Sequence, residues 1–295
     1  MGQSMFTGVA TQKNGLGQIC LVVGIYYCWD ILFNRHDSKE LGRGHRFLAR
    51  LLILPMLGWL LYMADSSTSL MCLIIAIGIL IVARTRTMTK APGKIIRLGF
   101  TALVVVAIIE ITLGVSAHVI TALGRDPTLT TRVPMWYTLL SMAHRPLIGA
   151  GYESFWLGRR LPMLRQAGVN VLQAHNGYLE TYLNIGLIGV GLILAVIISG
   201  LAKIRVQMHS DYPLAALRTT FLVVVVAYNW TEATLFGVSN MWLLFFLAVL
   251  DASKEHSRRP VSEDQSPSRI RPDTPVSLTR SIHRIASVFG TGGSH

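Results

Sequence analysis

LQAHNGYLETYLNIGLIGVGLILAVIISGL, residues 172–201, decides the fold class. From Ile185 to Leu201 it carries no charge, whereas the ten residues ahead of Ile185 include His175, Asn176, Tyr178, Glu180, Tyr182 and Asn184. About 20 apolar residues in helical form cross a hydrocarbon core about 30 Å thick, so the run reads as a membrane helix. Its polar entrance asks for a different explanation, since nothing in spanning a bilayer requires it.

The rest of the chain has the same character. Of its 295 residues 52% are hydrophobic and 14% charged, and the mean hydropathy is +0.48, too apolar for a soluble domain of this length. Six further stretches reach membrane grade, so the expected spans are 15–33, 47–64, 69–84, 97–118, 178–201, 214–231 and 236–251. The sixth is the weakest, because 13 uncharged residues separate Arg218 from Glu232. The expected fold is an all-α polytopic bundle of about seven helices, a membrane domain over residues 1–251 with one large loop at about 119–177. Residues 252–295, Pro/Ser-rich and basic, read as a disordered cytoplasmic tail.

The formal charge of +12 does not imply nucleic acid, because basic residues collect in cytoplasmic loops for topological reasons. Arg35, Lys39, Arg43, Arg46 and Arg50 fill one connection, Arg84, Arg86, Lys90, Lys94 and Arg97 the next on that side, and Lys203, Arg205 and Arg218 a third. Placing these in the cytoplasm puts the N-terminus, the turn at Asp65, the long loop and the 232–236 turn outside. Cys20, Cys28 and Cys72 fall within apolar stretches without metal spacing and read as packing residues. His36, His45, His118 and His144 have no ligand spacing either, and no metal or other cofactor is expected. Glu110, 13 residues past Arg97, lies about 20 Å into the bilayer at 1.5 Å per residue. It reads equally as a functional carboxylate or as a structural tie to a loop arginine.

About sixty residues is far more than a connector needs, so the chemistry is sought in the loop. Six arginines and no lysine occur there: Arg125 and Arg132 in GRDPTLTTRVPMW (124–136), Arg145 in HRPLIGAGYESFW (144–156), then Arg159, Arg160 and Arg165. Guanidinium grips phosphate through two parallel bonds, so a phosphate or diphosphate is the natural guest. For Arg145, Arg159, Arg160 and Arg165 taken singly, pairing with Asp126 or Glu153, or contact with lipid headgroups, is the simpler reading. His175, Tyr178, Leu179 and Tyr182 follow i, i+3, i+4, i+7 spacing, which predicts one helical face with tyrosines able to stack on sugars. Interfacial aromatic belts explain the tyrosines equally simply.

GRDPTLTTRVPMW, HRPLIGAGYESFW and AHNGYLETYLNIGLIGVG, in this order and ahead of an apolar helix, resemble the signature of the O-antigen ligase and exopolysaccharide polymerase family. GVATQKNGLGQ (8–18) resembles that family's Lys-Asn motif, and YNWTEATLFGVSNMWLLF (228–245) its Asn-x-x-Glu segment. The resemblance implies a metal-independent membrane glycosyltransferase of the bacterial inner membrane, with the large loop on the periplasmic side. Its donor would be a glycan on undecaprenyl diphosphate, and a glycan or lipid hydroxyl would be the acceptor. By motif position, His175 would act on the acceptor and Arg132 would hold the diphosphate, with Arg125 a neighbouring anion contact. Asn176, Tyr178, Glu232 and Trp136 are the expected substrate contacts beside them, Asn176 also orienting the loop.

Two departures accompany the resemblance. DSSTSL (65–70) puts Ser67 where the family usually has a basic residue. The family commonly has more helices than these seven, which leaves open a fragment, a reduced member, or a half completed by a partner chain. GRDPTLT followed by Arg and Trp favours polymerase over ligase. The alternatives are a non-catalytic assembly subunit, which Ser67 favours, and a transporter, for which Gly186, Gly189 and Gly191 would break a helix around a midplane site. The same glycines equally suit close helix packing.

Overall fold

The computed structural model describes residue 10 and residues 13–33, 43–113, 132–235 and 239–250. These form ten helices and no strand: α1 (Lys13–Phe33), α2 (Arg43–Ala64), α3 (Ser67–Ala83), α4 (Arg86–Lys90), α5 (Gly93–Leu113), α6 (Arg132–Ser141), α7 (Arg160–Gln166), α8 (Gly177–Ser210), α9 (Tyr212–Thr231) and α10 (Asn240–Val249). Each of the seven expected spans falls on a helix. Asn14–Phe33, Gly177–Ser210 and Tyr212–Thr231 are long and apolar enough to cross a membrane, while Leu52–Ala64, Ser67–Ala83 and Asn240–Val249 are shorter apolar helices. Arg35, Lys39, Arg125, His118 and the 252–295 tail lie outside the described residues, as does the side chain of Glu110 on α5.

The span that looked weakest in sequence is the centre of the bundle. α9 packs against α3, α5, α8 and α10, and every residue from Ala215 to Val225 is buried. A helix apolar all round belongs inside others. Thr219 and Thr220 bond back to the carbonyls of Ala215 and Ala216 at 2.8 and 2.9 Å, so neither brings an unsatisfied hydroxyl into the core. Arg218 does not shorten this helix. Its Nε donates to the Ala248 carbonyl at 2.9 Å and its Nη2 to that of Leu250 at 3.0 Å, and Nη1 donates to Gln207 Oε1. The guanidinium thus serves the orphan carbonyls at the C-terminus of α10, where the helix dipole favours a cation.

At this same end Tyr212 Oη donates to the Ala83 carbonyl at 2.6 Å, and Trp29 Nε1 to that of Pro213 at 2.7 Å. These bonds tie α1, α3 and α9 together. Cys20 and Cys72 are buried, Cys28 is half-buried, and all three are free.

The fifth expected span needs a correction, since α8 is two helices joined at Gly186, whose φ of 72° and ψ of −162° are not helical. The break is filled by the backbone of Pro146–Gly151. Ala150 and Gly151 donate to the carbonyls of Leu183 and Asn184 at 2.9 and 2.8 Å. Leu187 and Ile188 donate to those of Pro146 and Leu147 at 2.8 and 3.1 Å. Four groups that a break would orphan are thereby satisfied, which a lipid environment demands. The approach is close enough that a Cβ on Gly186 would lie 2.3 Å from the Leu147 carbonyl. This is the use of the Gly-rich turn in HRPLIGAGYESFW.

The described part of the long loop is a folded cap. Leu139, Phe155, Trp156, Leu164, Val169 and Ala174 bury one another against Leu183 of α8, a small apolar core separate from that around α9.

Candidate active site

Arg132 opens α6, Glu232 ends α9, and His175 precedes α8; residues up to a hundred positions apart meet at one end of the bundle. Arg132 Nη2 lies 3.6 Å from Glu232 Oε1, and His175 Nδ1 lies 3.5 Å from Glu232 Oε2. One carboxylate therefore faces both the guanidinium and the imidazole. Arg132 Nη1 also donates to the carbonyl of Thr231, the last residue of α9. Burial pushes the Arg132 pKa down and the charge of Glu232 pulls it back up. An arginine guanidinium does not lose its proton in proteins, so the group stays charged. The side chains of Arg132 and Glu232 are 12% and 10% exposed and that of His175 is 23% exposed, so the imidazole is the most accessible of the three.

The Glu232 backbone is set by Asn229. This side chain is fully buried, and its Oδ1 accepts from Thr234 N, Thr234 Oγ1 and Leu235 N at 3.0, 3.0 and 2.9 Å. The turn leaving α9 is thereby closed on itself. Thr231 Oγ1 donates to Thr68 Oγ1 at 3.2 Å, which brings the start of α3 and the adjacent Ser67 beside the cluster.

His175 is not on a helix. Its φ is +51°, and α8 begins at Gly177 with Asn176 as its N-cap, so the helical face expected to include His175 starts only at Tyr178. Asn176 Oδ1 accepts from the backbone of Tyr178 and Leu179 at 3.0 Å each, and Nδ2 donates to the Trp230 carbonyl at 3.3 Å. Asn176 thus fastens the mouth of α8 to the end of α9. Tyr178 Oη donates to the Val226 carbonyl at 3.0 Å, and its ring packs on the α9 core. Trp136 Nε1 donates to the Ala174 carbonyl at 2.8 Å. Arg160 donates to the Ser154 carbonyl and lies over the Phe155 ring, whereas Arg145, Arg159 and Arg165 are exposed.

Of the sequence candidates, the structure brings His175, Arg132 and Glu232 into contact. Asn176, Tyr178 and Trp136 surround them through backbone bonds, and Arg125 lies outside the described residues. Sequence reading noted Asn229 within the Asn-x-x-Glu segment and Glu180 within the polar entrance but gave neither a role. An Asn placed three residues before a helix-terminal Glu was a signal for the first, and a carboxylate opening an apolar helix for the second. Among the described residues no group of three or more His, Cys, Asp or Glu is placed to hold a metal ion.

The arrangement offers a cation for an anion, an imidazole for a proton, and a carboxylate that orients both. A family model described as O-antigen ligase matches residues 51–194, which takes in Arg132, His175 and the break at Gly186. The chain is also 28% identical over 212 residues to the exopolysaccharide production protein ExoQ of Rhizobium meliloti (strain 1021). That match covers 67% of this chain and 46% of the relative, so it spans less than half of the relative's length. The long apolar helices and the family match together mark a membrane protein. Motif order, relative and apolar bundle agree, and what the chain is similar to is the O-antigen ligase and exopolysaccharide polymerase family.

Proposed function

We propose that this chain transfers a glycan from an undecaprenyl-diphosphate carrier to a hydroxyl of a glycan acceptor during exopolysaccharide assembly, at the outer face of the bacterial inner membrane. The observation that carries this reading is the contact of His175 and Arg132 with the two oxygens of Glu232. A lipid diphosphate is already an activated leaving group, so the protein must neutralise it, place a hydroxyl and take up a proton. The acceptor oxygen forms a bond to the anomeric carbon as the bond from that carbon to phosphate breaks. Electrons leave with the lipid diphosphate, beside Arg132. The hydroxyl proton passes to His175, and Glu232 at its Nδ1 orients the ring and stabilises the imidazolium, as a carboxylate does in catalytic triads.

The broken helix does not favour a transporter. Its freed backbone groups are taken up by Pro146–Gly151 rather than left to coordinate a solute. Similarity to an exopolysaccharide production protein supports polymerase over ligase.

The test is turnover of a synthetic undecaprenyl-diphosphate oligosaccharide by the purified chain in liposomes. Removing a general base costs about 10²–10⁴-fold, so His175→Ala should fall by that factor while folding normally. Transfer at the wild-type rate would remove His175 from the chemistry.

A further inference from the structure

Glu180 is a carboxylate that the proposed chemistry does not use, and it is 4% exposed. Its oxygens accept from three neutral donors: Oε2 from the Ala174 backbone at 2.7 Å, and Oε1 from Trp156 Nε1 at 2.5 Å and Asn184 Nδ2 at 2.9 Å. Asn184 in turn accepts from the Phe155 backbone at 3.2 Å. Burying a carboxylate is costly, and three donors make it tolerable without explaining why it is there.

The reason lies one residue from the imidazole. Ala174 is held at both ends of its backbone, the N–H by Glu180 and the carbonyl by Trp136 at 2.8 Å. The next residue, His175, has φ of +51°, a conformation that a non-glycine residue keeps only when its surroundings impose it. On the other side Asn176 is fastened to α8 and to Trp230. The strained residue is thus gripped from both directions, and Glu180 supplies the only ionisable group in the grip.

We propose that Glu180 is the positioning residue of His175: its carboxylate and the Trp136 indole clamp Ala174, and the clamp holds His175 in the left-handed conformation that brings its Nδ1 to Glu232. Trp156, at the centre of the cap's own core, makes this clamp the link between cap and active site. This rests on the reading of His175 as the base of glycan transfer, but the clamp is testable without it.

Glu180→Gln keeps the volume and replaces one acceptor oxygen by a donor, so Ala174 N–H and the Trp156–Asn184 pair cannot both be served. Hydrogen exchange of the purified full chain is the first measurement. In Glu180→Gln the amide of Ala174 should exchange at least roughly tenfold faster, the signature of a lost hydrogen bond, while the α9 core at Val223–Val225 keeps its protection. If Glu180→Gln fails to fold, Trp136→Phe releases the other end of the clamp and should show the same acceleration with smaller amplitude. Unchanged exchange at Ala174 in a folded variant overturns the proposal.

The second measurement is transfer of the synthetic undecaprenyl-diphosphate oligosaccharide. A misplaced reacting group costs about 10²-fold, so kcat should fall by that order with the donor KM unchanged. In the His175→Ala background Glu180→Gln should then cause no further loss, because groups acting as one unit are not additive. An equal loss in both backgrounds overturns positioning in favour of general stability. A wild-type chain that transfers nothing would refute the transferase reading, and the exchange result would still decide the clamp.

Discussion

At Arg132 the guanidinium fork is spent on two partners at once, the Glu232 carboxylate and the Thr231 carbonyl. A lysine keeps the charge and loses the planar fork, so it can serve only one of them well. A hydrogen bond involving a charged group contributes about 1.5–3 kcal/mol, so Arg132→Lys should lower transfer roughly ten- to hundredfold. The check is transfer rate in a variant shown to insert normally. Full activity would assign Arg132 to electrostatics at large. Sequence singled out Arg132 by its motif, but that its partner is Glu232 was not legible there. The two lie 100 positions apart in the chain, and no local pattern links them.

At the level of the element, Gly186, Gly189 and Gly191 of α8 are indistinguishable in sequence and distinct in structure. Gly186 breaks the helix, Gly189 packs against Ile185 and Thr181, and Gly191 faces open space. A side chain at Gly186 meets a backbone angle pair populated almost only by glycine, worth about 1–3 kcal/mol. It would also meet the Leu147 carbonyl at 2.3 Å. Separating the two backbones forfeits further bonds of about 1 kcal/mol each. Gly186→Ala should therefore destabilise the protein by about 3 kcal/mol or more. Gly191→Ala should leave it unchanged or better by up to about 1 kcal/mol, since alanine favours helix. Thermal unfolding of both variants in detergent measures the difference, and equal stability would mean that the break is not maintained. The short helix ahead of Gly186 was hidden because hydrophobic periodicity reports helix on both sides of a break and cannot register the residue between.

For the whole molecule, the distribution of charge predicts an orientation. Arg84, Arg86, Lys90, Lys94, Arg97, Lys203 and Arg205 are exposed at the end opposite the site. On α8 alone, Leu187–Ser210 puts about 36 Å of helix between the break and the last residue. Basic residues gather on the cytoplasmic side, so the site end should face out. Tyr152→Cys should be labelled by a membrane-impermeant maleimide in intact spheroplasts, and Ser210→Cys should not. The native cysteines, two buried and one half-buried, leave a low background. The reverse pattern would place the cluster in the cytoplasm and remove the proposed reaction face.

The sequence alone determined where the apolar helices lie and the polar mouth of the fifth span, and it singled out His175, Arg132 and Glu232, which the structure brings together. Those features rest on run length, charge and motif order, which act over a few residues at a time. Only the tertiary structure decided that the span carrying Arg218 is the central helix, because that charge is satisfied by carbonyls thirty residues away. Only it separated Gly186 from its neighbours, since the backbone that fills the break comes from another segment. Only it showed the Tyr178 hydroxyl bonded to the Val226 carbonyl, and Glu180, which sequence placed in the polar mouth without a role, holding the Ala174 amide. A side chain's partners are set by which helices pack together and by the angle at which they meet, and neither is encoded in spacing along the chain.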